Sequence, residues 1–262
     1  MLVSPDVTVL LTSMLLSVTS SYARLTFNAD KVGRSDDQIS ALAMSNPDSL
    51  SVEEILYAGN LTKDMDKQLQ IYKSGERIYP QDWRTSNNLG NVLFMKGDLN
   101  GAMSQFTKAD QLNSGNPIVK NNLGAVYSRR GDRKNAAMNY ASASGAGPEV
   151  NQNMGIIDIR NGNYASGVTH YGSTASFNAA LAKLLSGDKD GAMNTIDASP
   201  DKDSANGYYL KAIISARKGD ATGVVANLSK SVQMNQKMKA MAAEDREFIK
   251  WFNDAAFKAV VQ

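Results

Sequence analysis

Five glycines, each followed by Asp or Asn, punctuate the chain: Gly97-Asp98, Gly131-Asp132, Gly162-Asn163, Gly187-Asp188 and Gly219-Asp220. The first interval is 34 residues, and Leu89/Leu123, Gly90/Gly124, Ala102/Ala136, Phe106/Tyr140 and Ala109/Ala143 recur at the same distance. A fixed period of this size means stacked supersecondary units, none of which can bury its apolar face alone. The punctuation has a mechanical reading. The glycine takes the left-handed conformation that ends one helix, and the aspartate caps the next. Four residues after the cap comes a small side chain (Ala102, Ala136, Gly167, Ala192; Val224 in the last copy), which lets two helices approach closely. Four further on comes a large one (Phe106, Tyr140, Tyr171, Ile196, Leu228), expected to fill the space between neighbouring repeats.

The capping signals place the helices. Ser35 opens a short helix that runs to about Met44 and stops at Asn46-Pro47. Ser51 to Glu54 form a capping box, in which hydroxyl and carboxylate each satisfy a free amide, and that helix runs to about Leu61. A helix from about Lys67 to Ile78 completes a degenerate first repeat, with Tyr72 and Gly75 in the places of Phe106 and Ala109. Trp83–Lys96 is the first helix of the next repeat, and Pro117 and Pro148 open its successors, where a missing amide costs nothing. The spacing then slips to 31, 25 and 32 residues. Gly167 and Gly172 fall inside the shortest interval and weaken a helix there. The spacing therefore predicts a stunted helix at about 164–171 and a local change in the curvature of the stack. Beyond Asn235 the pattern becomes a charged amphipathic run, Lys237–Asn253, with Phe248, Trp251 and Phe252 on its apolar side. It reads as a terminal cap.

Composition sets limits. With 42% apolar residues in 262, a sizeable core is available. A net charge of +2 without a Lys/Arg run excludes the basic stripe of a nucleic-acid binder. The absence of cysteine excludes disulfides and thiolate metal sites and fits any compartment. Val7 to Val18 form an apolar run too short for a membrane span, which needs about 20 residues. Its readings are the core of a signal peptide cleaved near Ser21-Tyr22-Ala23, although no cation precedes it, a buried element, or a leader from a truncated gene. Residues 24–32 alternate like a half-buried strand. The domain reading is a leader over 1–34, a repeat domain over 35–235 and capping helices over 236–262.

NNLGNVLFMKGDLNGAMSQFTKA (87–109) and NNLGAVYSRRGDRKNAAMNYASA (121–143) resemble the tetratricopeptide repeat, and with weaker flanking copies the resemblance covers about residues 49–235. It implies an all-α, right-handed superhelix of stacked helical hairpins, here beside a short irregular or β N-terminal segment. It also implies a concave groove, lined by the first helices, that takes a protein or peptide. A narrower resemblance lies in LSVEEILYAGNLT (50–62), YPQDWRTSNNLG (79–90), FNAALAKLLSGD (177–188) and DKDSANGYYLKAIISARKGD (201–220). These are similar to the C-terminal repeat region of OmpA-family envelope proteins of Bacteroidota, which implies a periplasmic or outer-membrane-associated location. In that family an OmpA-like domain precedes the repeats. Here only residues 24–32 correspond to it, so an outer-membrane or peptidoglycan partner would be reached through a missing domain, and no peptidoglycan-binding residue is carried over.

Catalytic chemistry has little to work with. The lone histidine, His170, lies in the stunted helix with no obvious partner and reads as a solvent-facing structural residue. Asp197, Asp201 and Asp203 lack the glycine and bidentate glutamate of a calcium loop and read as solvated turn residues. No catalytic residue, metal site, cofactor or small-molecule substrate is implied. The amides are more informative. Asn88, Asn122, Asn153 and Asn178 stand two places before the small residue of successive first helices, and read as structural amides at the repeat interface. Asn87, Asn121 and Gln152 stand one place earlier, with Asn91 one turn beyond Asn87, and are the groove-binding candidates. An amide can donate to and accept from a peptide backbone without choosing its charge. Some members of the repeat family clamp a terminal carboxylate. Asn91 and Asn122 match that pattern, but Asn87, Glu149 and Asn153 stand where cations are needed, so a clamp is excluded. The reading is a non-catalytic interaction scaffold of the cell envelope, with a structural spacer or assembly module lacking a groove ligand as the alternative.

Overall fold

The computed structural model describes residues 34–144 and 147–262. The apolar N-terminal run, the cleavage site and the alternating segment at 24–32 lie outside them. The described residues carry α-helices and two short 3₁₀ turns, with no strand. In chain order the helices are α1 (Asp36–Ser45), α2 (Val52–Leu61), α3 (Met65–Ile78), α4 (Trp83–Met95), α5 (Leu99–Leu112), α6 (Pro117–Arg129), α7 (Arg133–Ser142), α8 (Pro148–Arg160), α9 (Tyr164–Tyr171), α10 (Phe177–Leu185), α11 (Lys189–Asp197), α12 (Ala205–Lys218), α13 (Ala221–Met234), α14 (Lys237–Glu244) and α15 (Ala255–Val261).

At each Gly-Asp corner one residue serves two helices. The five glycines have φ between 79° and 99°, so the chain leaves each first helix through a left-handed step. The amide of the following residue then donates to the carbonyl five residues back: Asp98 to Leu93 and Asp132 to Tyr127 at 2.9 Å, Asn163 to Asp158 at 2.8 Å, Asp188 to Lys183 and Asp220 to Ser215 at 2.9 Å. The carboxylate of the same aspartate caps the next helix, accepting from Gly101, Asn135, Gly191 and Gly223. Asn163 makes no such side-chain bond. The capping boxes at Ser35/Gln38 and Ser51/Glu54 are both closed. The helix predicted from about Lys67 starts at Met65 because Asp64 caps it, accepting from the Asp66 and Lys67 amides.

The hairpins close on a size match. A methyl group added to Gly90 would lie 2.7 Å from Phe106, one on Gly124 2.6 Å from Tyr140, and one on Gly155 2.6 Å from Tyr171. Each large residue thus seats its ring on the glycine of its own hairpin, instead of filling only the space between repeats. The glycine is required there because any side chain would displace the ring. In all these hairpins the small and large positions are 16 residues apart, and at the same spacing Ala180 faces Ile196 in sequence and Ala212 faces Leu228. Those four side chains are fully buried.

The described residues fall into two compact units, one ending at Asn153 and the other running over Met154–Gln262. In the first, Ile39, Ala43, Leu50, Ile55, Ala58 and Ile71 form one apolar cluster, and a second joins α4, α5 and α6 through Phe94, Phe106, Val119 and Val126. Successive hairpins are also tied at their corners. Lys96 pairs with Asp66 at 2.6 Å, Arg130 donates to Asn100, and Arg129 reaches the Phe94 carbonyl at 3.4 Å. Exposed pairs of this kind are worth about 0–1 kcal/mol each, so they set register more than stability.

In the second unit the short interval has a definite anatomy. Helix α9 has 8 residues against 14 in α5, α10 has 9 against 13 in α6, and the loop between α9 and α10 is one residue longer than its counterpart. The predicted stunted helix at 164–171 is α9, ended by Gly172 at φ 53°. The C-terminal run is not one continuous helix. It breaks at Asp245 into α14, a 3₁₀ turn over Arg246–Phe248, and α15. Phe248 is the anchor, edge-on to Tyr209 at 5.7 Å and against Phe257 at 5.6 Å, while Trp251 and Phe252 are half-buried.

Candidate functional site

The repeat period brings the paired amides of α4, α6 and α8 into one register, where they bond to each other. Asn122 Nδ2 donates to Asn87 Oδ1 at 2.8 Å, and Asn153 Nδ2 donates to Asn121 Oδ1 at 2.9 Å. Asn87 Nδ2 donates in turn to Asn88 Oδ1 at 3.3 Å. The ladder is enclosed: Asn87 and Asn122 are 0% exposed and Asn121 is 1%. Asn87 and Asn121, read from sequence as groove contacts, are therefore not surface groups. An amide offers an acceptor and two donors, so each can bridge adjacent first helices, and burial favours that use. Asn91 is also enclosed, and Gln152 is half-buried. In the second unit Asn178 faces the Tyr171 hydroxyl, a phenol whose pKa burial raises.

The ladder is incompletely satisfied. Asn91 Nδ2, Asn121 Nδ2, Asn122 Oδ1 and Ser86 Oγ are buried and make no hydrogen bond. A buried polar atom left unpaired costs about 1–3 kcal/mol. Four such atoms lie on the first helices α4 and α6. They comprise two donors, one acceptor and a hydroxyl that can do either.

The remaining candidates have structural partners. His170 is not without one, since its Nδ1 lies 2.7 Å from Asp158 Oδ2, across the α8–α9 hairpin. The acidic loop is likewise held in place. Asp201 accepts from the Phe177 amide at 3.1 Å, Asp203 from the Tyr208 hydroxyl at 3.0 Å, and Asp197 pairs with Lys211 at 2.7 Å. Among the described residues no three His, Asp or Glu side chains converge as a metal site would require. A pair that sequence reading missed is Tyr209 with Asp245, at 2.9 Å. The two are 36 residues apart, and only the fold joins them.

No family model matches the chain, and no curated protein is detectably similar to it. Solved structures are. A chain of the APC/C hetero-tetramer Cut9–Hcn1 superposes with a TM-score of 0.66 at 13% identity over 85% of this chain. This chain spans only 44% of that chain. A tetratricopeptide repeat protein from Parabacteroides merdae matches with a TM-score of 0.58 at 14% identity, over 87% of this chain and 91% of that one. PilF of Pseudomonas aeruginosa matches with a TM-score of 0.58 at 16% identity, over 82% and 96%. Identities this low speak to architecture alone. With the Gly-Asp corners, the paired helices and the glycine–aromatic seats, they show that this chain has the all-α tetratricopeptide-repeat fold.

Proposed function

We propose that the chain is a non-catalytic scaffold of the bacterial cell envelope that holds a protein or peptide segment along the first helices of its repeats. The observation that carries the reading is the set of unpaired amide and hydroxyl atoms on α4 and α6. A bound backbone would supply a carbonyl to Asn91, at the edge of the ladder, removing a standing cost of burial, while the enclosed Asn121 and Asn122 hold the first helices together. Gln152 would add an adaptable contact at the edge of the ladder. The envelope assignment rests on the likeness of the 50–62, 79–90, 177–188 and 201–220 stretches to OmpA-family repeat regions. The matched chain of the Cut9–Hcn1 hetero-tetramer shares the fold, and a partner protein is the corresponding expectation here.

The two amide groups separate in a mutational test. Asn91→Ala with Gln152→Ala should lower partner affinity about tenfold or more, the loss of two hydrogen bonds of roughly 1 kcal/mol each, with little change in melting temperature. Asn87→Ala with Asn121→Ala should instead lower the melting temperature, because it breaks links between first helices. Binding titrations and thermal melts on both double variants read the difference. Unchanged binding in the first variant would remove the groove from the account.

A further inference from the structure

The C-terminal segment is held to α12 by a charge arrangement that does not balance. Glu247, with a side chain 7% exposed, pairs through both oxygens with the guanidinium of Arg217, at 2.5 and 2.8 Å. Asp245, 3% exposed, makes no ion pair of its own and feels the Arg217 charge only beyond the Glu247 pair. Its Oδ2 accepts from the Tyr209 hydroxyl at 2.9 Å, and its Oδ1 accepts from the Glu247 amide at 3.0 Å. The titratable groups that face it are Tyr209 and Arg217 of α12 and Glu247 of its own turn. Two buried carboxylates thus share one guanidinium that is already engaged by the nearer of them. This is also the point where the chain breaks between α14 and the 3₁₀ turn, three residues before the Phe248 anchor.

We propose that the docking of the 3₁₀ turn at 245–248 on α12, beside which α15 packs on α13 and α14, is a pH-governed latch, closed while Asp245 carries a proton and loosened when it ionises, so that the Tyr209–Phe248 contact opens as pH rises. The protonated carboxyl keeps both contacts, since its carbonyl oxygen still accepts from the Glu247 amide and its hydroxyl can meet the Tyr209 oxygen. Only the balanced Arg217–Glu247 pair then remains charged. Ionisation adds a second buried anion with no counter-charge of its own. Burial, the largest influence, holds the Asp245 carboxyl above the usual carboxylate range. A folded-state pKa raised above the unfolded value contributes stability that is full at pH below the unfolded value and is lost as pH rises through the folded one. The latch is therefore tightest in acid. Opening uncovers Tyr209, Phe248 and Phe257 beside Ile249, which is already 60% exposed.

Hydrogen exchange on the full chain tests the proposal, with the protection of 245–262 compared with that of α5, which it does not touch, after correction for the intrinsic pH dependence of exchange. In the wild type the relative protection should fall as pH rises above the ordinary carboxylate range, by about tenfold for each pKa unit of displacement. Asp245→Asn keeps an acceptor for the Glu247 amide and a donor for the Tyr209 oxygen, and should stay protected and flat with pH. Equal slopes in wild type and variant, or protection that rises with pH, would overturn the latch. Should the variant fail to fold, a carboxyl carbon NMR titration of wild-type Asp245 decides instead. Ionisation above the ordinary carboxylate range supports the latch, and ionisation within or below it overturns the idea.

Discussion

An aspartate at a hairpin corner spends its amide on the helix behind it and its carboxylate on the helix ahead. Asp132 illustrates the division: its amide closes on Tyr127, and its carboxyl, held below the usual range by the Asn135 amide, caps α7. The glycine before it has φ 82° and open space around its α-carbon. Gly131→Val therefore introduces backbone strain without a clash. It should destabilise the fold by about 1–2 kcal/mol, read as a lower midpoint in thermal or denaturant unfolding. An unchanged midpoint would mean that this corner carries no left-handed constraint. Corners of this kind were fully legible, because both functions follow from two adjacent residue types. The pairs His170–Asp158 and Tyr209–Asp245 were not, because nothing local marks a partner that only the hairpin or the terminal turn brings near.

Between elements, the selective requirement is the fit of a ring to a bare α-carbon. Gly90→Ala should cost about 1–3 kcal/mol by driving a methyl into Phe106. Adding Phe106→Leu should recover part of that loss, since the pair then has the alanine–leucine composition of Ala212 and Leu228 at the same spacing. A double-mutant cycle with favourable coupling would bear this out, and additive losses would deny it. The spacing announced the stunted helix α9 because nine missing residues must come out of some element. It did not tell how the loss divides between α9 and α10. The break at Asp245 was also hidden. Lys237–Asn253 has a helical pattern of apolar residues, but the side chain of Asp245 caps the Glu247 amide and starts a new turn.

Over the whole molecule the period accounts for the architecture, and of the paired amides the outer ones, Asn87 and Asn121, are enclosed where the sequence suggested exposed contacts. The outer amides Asn87 and Asn121 look like groove contacts, while the inner Asn122 and Asn153 read as repeat-interface amides, the use that the cross-repeat bonds give them. Their actual use depends on the distance between adjacent helices, which is short enough for Asn122 to reach Asn87 and for Asn153 to reach Asn121. The ladder is thus first a structural device, and the atoms it leaves unpaired carry the case for a ligand. Site-specific photo-crosslinking tests that case most directly. A photoreactive side chain is placed at Gln152, beside the ladder, and in a second variant at Met138, which is 58% exposed on the second helix α7. The variants are expressed in the native cell and their adducts identified by mass spectrometry. Adducts to a protein segment from position 152, with none from 138, are the predicted result. Equal labelling from both positions, or none from 152, would contradict a binding face on the first helices.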